Sequence, residues 1–168
     1  MAETQQTRSD AEVITSYTAA LDDHDIDGLL ATLSDDIELT WVPVGTFHGK
    51  AEVRSALEEL FTAFPDFSRP ESQRIVSDDR AALEYQASGT FEGGPFAGLE
   101  PTGNKGTIDV CEFMELANGR IVRSTVYWDG MQMARELGVM PAEGSPGDKA
   151  MTALINLTSK AKKRLQQR

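Results

Sequence analysis

Hydrophobic positions recur at three- and four-residue spacing in several stretches of the chain and alternate with polar ones in others, and the switch between the two periods predicts its elements. In "SDAEVITSYTAALDDHD", Ser9 stands three residues before Glu12 in a capping-box pattern, and Val13, Ile14, Tyr17, Ala20 and Leu21 follow at helical intervals. That spacing predicts a first helix. "DIDGLLATLS" predicts a short second one under an aspartate cap, with Leu29, Leu30 and Leu33 as its buried stripe and its end near Asp35. "DIELTWVP" sets Ile37, Leu39 and Trp41 against polar neighbours, a half-buried strand stopped by Pro43. The longest helix is expected in "KAEVRSALEELFTAFP", where Val53, Ala56, Leu57, Leu60, Phe61 and Phe64 share one side and Pro65 ends the pattern.

Beyond Pro65 the period falls to two. "SQRIVSDDRAALEYQASGTF" reads as two strands joined by a tight turn from Ser77 to Arg80. "TIDVCEFMEL" and "RIVRSTVYW" read as two more, joined at "ANGR", where Asn118 and Gly119 can supply positive φ. This order predicts an α+β domain whose curved antiparallel sheet wraps a long helix, with a pocket between them. A further helix is expected to open at Gly130.

Composition narrows the class. A chain of 168 residues with 40% apolar and 26% charged residues fits one folded domain. No run of eighteen apolar residues exists, and "MAETQQTRSD" lacks the basic-then-apolar pattern of a secretory signal, so a cytoplasmic location is expected. One cysteine and two histidines leave no Cys/His cluster at zinc-ligand spacing. Charge is uneven: Asp148 to Arg168 carries six basic residues against one acid, so of the net −11, residues 1–147 hold −16. Such a surface repels phosphates, which argues against nucleic acid and anionic membranes while tolerating a neutral or cationic small molecule.

Several residues are candidates for chemistry. Asp129 lies in "VYWDGMQMARELG", between two aromatics and the helix opening, and a carboxylate there can cap that helix as well as move protons. Strand alternation groups it with Tyr127, Thr125 and Arg123, against a more apolar row of Val122, Val126 and Trp128, and either row could face the pocket. Tyr17 can donate to a ligand or pack in the core. His48 can carry a proton near neutrality but sits beside a turn glycine, as surface histidines do. Asp109, Cys111, Phe113 and Glu115 share one face of their strand, and would contribute polar groups if that face lined the pocket. Nothing beside Cys111 would activate it as a nucleophile.

Four segments together resemble a known family: "YTAALDDHDIDGLLATLSDDIEL", "FHGKAEVRSALEELFTAFPDF", "FAGLEPTGNKGT" and "NGRIVRSTVYWDGMQMARELGVMP". They are similar to the SnoaL-like polyketide cyclases of the nuclear transport factor 2-like superfamily, over roughly residues 10 to 141. The resemblance implies a cone-shaped (cystatin-like) α+β domain over residues 1–141, a homodimer, a deep apolar pocket and no metal or organic cofactor. It implies that Asp129 is a general acid/base in an intramolecular aldol closure: a base takes a proton from the carbon beside a carbonyl, and the same proton quenches the new alkoxide. Burial between Tyr127, Trp128 and Met131 would raise the proton affinity of that carboxylate. It also places a substrate-facing tyrosine at Tyr17. With Trp41 as wall, the candidate substrate contacts are Tyr17, Trp41, His48, Asp109, Cys111, Glu115, Tyr127 and Trp128.

The opening is also similar to the ketosteroid isomerases of the superfamily, but Val42 stands where they place a catalytic aspartate, and their second acid would fall near Cys111. The "Y-[FW]-D" end of the last strand resembles limonene-type epoxide hydrolases, although "AALEYQAS" offers only Glu84 towards their water-activating set. Residues 142–168 form a Gly/Pro/Ser linker and a basic amphipathic helix with Met151, Leu154, Ile155, Leu157, Ala161 and Leu165 at near-helical spacing. Two functional classes follow. One is a cofactor-independent cyclase or isomerase acting on an apolar carbonyl compound, the other a non-catalytic small-molecule-binding module on the same cone.

Overall fold

A computed structural model describes residues 9–166. Residues 1–8, part of the stretch searched for a secretory signal, lie outside the described residues, as do the side chains of Ala161 and Leu165 in the tail stripe. The elements are α1 (Asp10–Asp22), α2 (Ile26–Thr32), β1 (Leu33–Val42), β2 (Gly45–His48), α3 (Gly49–Ala63), β3 (Glu71–Ser77), β4 (Arg80–Thr90), β5 (Lys105–Ala117), β6 (Arg120–Trp128), α4 (Gly130–Glu136) and α5 (Pro146–Gln166).

The six strands form one curved, unclosed sheet in the order β2-β1-β6-β5-β4-β3. The expected antiparallel sheet is mixed at one seam, because β1 and β6 run parallel. The β1–β2 hairpin and the β3–β6 meander are joined through α3, so no tight turn dictates the strand direction where they meet. β2 was not anticipated from Pro43. The proline lies between β1 and β2, and four mostly exposed residues carry no hydrophobic alternation to announce a strand.

The predicted capping box closes α1: the Ser9 side chain accepts from the Glu12 amide, and the Glu12 carboxylate from the Ser9 amide. Its buried stripe of Val13, Ile14, Tyr17 and Leu21 joins those of α2 and α3 and the inner rows of the strands in one core. Gly89 on β4 lets Phe64 press onto the sheet, since a Cβ there would stand 3.0 Å from the Phe64 Cβ. After β6 the chain turns into α4, whose end packs on β5 through Leu137 beside Gly106. The tail helix begins at Pro146, earlier than the linker reading placed it, because proline suits the first turn and Ser145 Oγ accepts from the Asp148 amide. No helix among the described residues is long and apolar enough to cross a membrane.

Candidate functional site

Between the inner face of the sheet and α1–α3 lies an apolar cavity of about 120 Å³. Leu29, Leu57, Phe64 and Phe96 supply aliphatic and aromatic wall, and Trp41 and Trp128 close on it edge to face, their rings 6.4 Å apart. Four hydroxyl-bearing residues break this apolar lining: Ser88 and Tyr85 from β4, Tyr17 from α1 and Ser124 from β6.

Behind them stands Glu112 of β5, with none of its surface exposed. Its Oε1 accepts hydrogen bonds from the Tyr17 hydroxyl at 2.8 Å and the Ser124 hydroxyl at 2.7 Å. Oε2 has no ordinary hydrogen bond, and the Tyr85 hydroxyl acts on the carboxyl as a weaker third donor. Burial pushes the carboxyl above its ordinary titration range, against the opposing pull of the Ser124 and Tyr17 hydroxyls, the Arg69 charge and the nearby Tyr85 hydroxyl. Burial and then the charge of Glu112 hold both tyrosines well above the usual phenol value, which keeps them protonated hydrogen-bond donors. Arg69 completes the cluster. It is almost wholly buried, its guanidinium lies 5.2 Å from the Tyr85 ring centre, Nη2 donates to the Thr18 carbonyl at 2.9 Å, and Nε is 3.1 Å from an Asp22 carboxylate oxygen. The arrangement is a buried proton-binding carboxyl linked to an apolar chamber through two hydroxyls that touch both.

Of the candidates named from sequence, Tyr17, Trp41 and Trp128 line the cavity, while His48, Asp109, Cys111, Glu115, Tyr127 and Asp129 are not among its lining residues. The strand face bearing Asp109, Cys111, Phe113 and Glu115 turns away from the helices, leaving Phe113 and Asp109 exposed and Cys111 partly so. Its expected place in the pocket is taken by the opposite row, Val110, Glu112, Met114 and Leu116. On β6 the inward row is Ser124, Val126 and Trp128, while Tyr127 points out and meets the Phe113 ring at 6.2 Å. Glu115 pairs with Arg123 at 3.0 Å, and exposed His48 lies 4.0 Å from Glu38. Glu84 is exposed on the outer face.

Asp129 is exposed rather than buried between Tyr127, Trp128 and Met131. Its Oδ1 accepts from the amides of Met131 at 2.8 Å and Gln132 at 3.0 Å, capping α4. Among the described residues no three His, Cys, Asp or Glu side chains gather where they could hold a metal ion. The residue missed from sequence is Glu112, and the signal for it was a lone carboxylate inside an otherwise apolar strand row.

Comparisons with known proteins converge on this fold. A family model described as SnoaL-like polyketide cyclase matches residues 11–137, ending before α5. Among solved structures, AclR from Streptomyces galilaeus is 22% identical, with a TM-score of 0.67, over 81% of this chain and 100% of its own. A protein of Jannaschia sp. CCS1 described as SnoaL-like is 17% identical, with a TM-score of 0.70, over 81% of this chain and 99% of its own. TerC, co-crystallised with polyporic acid, is 18% identical, with a TM-score of 0.64, over 77% of this chain and 98% of its own. A search of curated protein sequences returns no match.

Proposed function

The chain belongs to the SnoaL-like polyketide cyclase family, and from that premise we propose that it is a cofactor-independent cyclase or isomerase working by acid/base catalysis on an apolar, carbonyl-containing small molecule of polyketide type. The observation that carries this reading is the Glu112 carboxyl held by Tyr17 and Ser124, two hydroxyls that also line the cavity. A carbon acid beside a carbonyl gives its proton to one of these hydroxyls as that hydroxyl passes its own to the Glu112 carboxylate. Reversal of the relay delivers one proton to the alkoxide formed on ring closure, so no proton is gained or lost overall. The raised proton affinity of Glu112 makes its carboxylate a stronger base and its acid form persistent at higher pH. Asp129, whose Oδ1 is engaged by two backbone amides, is left in this reading as the α4 cap. A neutral apolar ligand is consistent with the apolar walls and with the acidic surface around them. Assembly as a homodimer is part of the proposal.

A second reading, a non-catalytic binding module on the same cone, draws on the position of Glu112 behind the cavity wall rather than in it. One experiment separates the two. Neutral β-dicarbonyl esters are incubated with the protein in deuterated buffer, and exchange at the carbon between the carbonyls is followed by proton NMR. The enzyme reading expects exchange that falls on the order of a hundredfold or more in Glu112→Gln and persists in Asp129→Asn. Binding without exchange establishes the module. Exchange lost in Asp129→Asn and kept in Glu112→Gln returns the acid/base role to Asp129.

A further inference from the structure

Arg69 stands in the stretch between α3 and β3, and the backbone on both sides of it is tied to β4. Ser68 and Ser88 exchange two hydrogen bonds of 2.9 Å, and the Gln86 amide donates to the Pro70 carbonyl at 3.3 Å. So held, the Arg69 side chain runs inward and is only 1% exposed, which arginine tolerates when its charge is matched. The match comes from two directions. On the solvent side Nε lies 3.1 Å from a carboxylate oxygen of Asp22, itself about half exposed, where the two residues share a surface notch with Leu21, Phe67 and Glu71. On the inner side the guanidinium stands over the Tyr85 ring and Nη2 is anchored on the Thr18 carbonyl, while Nη1 is buried with no hydrogen-bond partner among the described residues.

Other charges near this guanidinium are already engaged. Glu71 is held by Arg74 at 2.8 Å, and Arg74 Nη2 also donates to the Thr18 hydroxyl. His24, from the turn after α1, meets the Phe67 carbonyl through Nε2 at 3.0 Å. Around Glu112 itself stand the hydroxyls of Tyr17 from α1, Tyr85 from β4 and Ser124 from β6, and the Arg69 charge reaches it from behind Tyr85. We infer that Arg69 is a positioning residue of the proton-transfer site, holding the Tyr85 ring against Glu112 while its charge, shared with Asp22 at the surface, tunes the acid. This rests on the reading of Glu112 as the acid/base group. Arg69 is not among the residues lining the cavity, so it acts through Tyr85 and Glu112 and not on a ligand. Arginine suits the task, because its planar fork serves a ring face, a carbonyl and a carboxylate at once. Its positive charge favours the ionised carboxyl against burial, and Asp22 opposes this by cancelling part of the field that reaches inward. A relay that must both take and return a proton needs that balance. With no cation the buried acid would keep its proton, and with an unmasked one it would give the proton up too readily.

The carboxyl can be read directly. Full-length protein labelled with carbon-13 at the glutamate side-chain carboxyl is titrated by NMR, with Glu112→Gln identifying the resonance. Asp22→Asn, an exposed change that leaves Arg69 in place, is expected to move the Glu112 midpoint to lower pH, whereas Asp23→Asn, exposed one position on, leaves it unmoved. Arg69→Met moves the midpoint to higher pH, and in that background Asp22→Asn has no further effect, because no cation remains for it to mask. Tyr85→Phe also raises the midpoint, and Arg69→Met adds less to it there than in the wild type, since part of its action runs through the Tyr85 hydroxyl. A midpoint that ignores Arg69→Met, equal responses to Asp22→Asn and Asp23→Asn, or full additivity of Arg69→Met with Tyr85→Phe each overturns the inference. Should Arg69→Met fail to fold, the contrast between the two aspartate variants decides alone. Titrations that shift as expected in a protein showing no carbon exchange keep the coupling of Arg69 to Glu112 and remove the proposed catalysis. Exchange by a protein whose Glu112 ignores both Asp22 and Arg69 does the reverse.

Discussion

Replacing Glu112 by glutamine keeps the shape of the side chain and removes its ability to titrate. Glutamine still offers one carbonyl oxygen where Oε1 accepts from Tyr17 and Ser124, but it puts an NH₂ group where Oε2 makes no ordinary hydrogen bond. An unsatisfied buried donor costs about 1–3 kcal/mol, so the variant is expected to fold with stability reduced by roughly that amount at low pH. The difference then changes with pH. The folded protein binds the Glu112 proton more tightly than the unfolded chain does, because burial raises its proton affinity. Its contribution to wild-type stability is therefore complete below the ordinary glutamate value of about 4.3 and is lost as pH rises towards the elevated folded value. Across that window the wild type should lose stability relative to Glu112→Gln with a slope approaching about 1.4 kcal/mol per pH unit. Urea unfolding followed by tryptophan fluorescence in half-unit pH steps measures it, with exposed Glu84→Gln as the control that keeps the wild-type slope. Parallel wild-type and Glu112→Gln curves would refute the raised proton affinity, and with it the physical basis for Glu112 as a base.

Other outcomes follow from the same coordinates. Ser124→Ala removes a hydrogen bond that favours the ionised carboxyl, so the proton affinity of Glu112 rises further and the pH–rate profile for exchange moves to higher pH. Asp129→Ala strips two amides of their acceptor at the start of α4 and should lower stability by about 1 kcal/mol in a thermal melt, whereas Asp129→Asn should change it little. Phe91→Ala empties a fully buried site whose ring stacks 5.2 Å from Phe64, and denaturant titration should show a loss of about 3–5 kcal/mol. Gly93→Ala should destabilise clearly, because a Cβ there would stand 1.9 Å from the Thr62 backbone oxygen, which cannot move aside as a side chain would.

Local signals in the sequence reached the elements they describe. The Ser9–Glu12 box marks the start of α1, and the turns at Asp78 and Asn118 adopt φ values of 34° and 54°, as their residue types allow. Non-local features were beyond such signals. The parallel β1–β6 seam depends on how two hairpin-built sections meet, which no short stretch encodes. The candidate site was legible in its walls, because Tyr17, Trp41 and Trp128 sit in patterned elements. Its acid was not, because "DVCEFMEL" puts carboxylates in both alternating rows, Asp109 and Glu115 in one and Glu112 alone in the other. Phe113 lends weight to the wrong row, and only the fold shows that the helices cover the other.

That ambiguity has a physical root. A buried carboxylate is costly unless hydrogen-bonded, so a sequence can hold one in an apolar row only if distant elements bring donors to it. Tyr17 lies 95 positions away along the chain and Ser124 lies on the neighbouring strand. The same donors, with the Tyr85 hydroxyl as a weaker third, leave the carboxyl short of full compensation, so burial still raises its proton affinity. A leucine in its place would fill the apolar row with no buried charge to compensate. A carboxyl half-satisfied behind two hydroxyls that face an apolar chamber instead keeps its affinity for a proton and a route by which to exchange it. The Glu112→Gln pH slope and the carbon-exchange assay should therefore report on the same group.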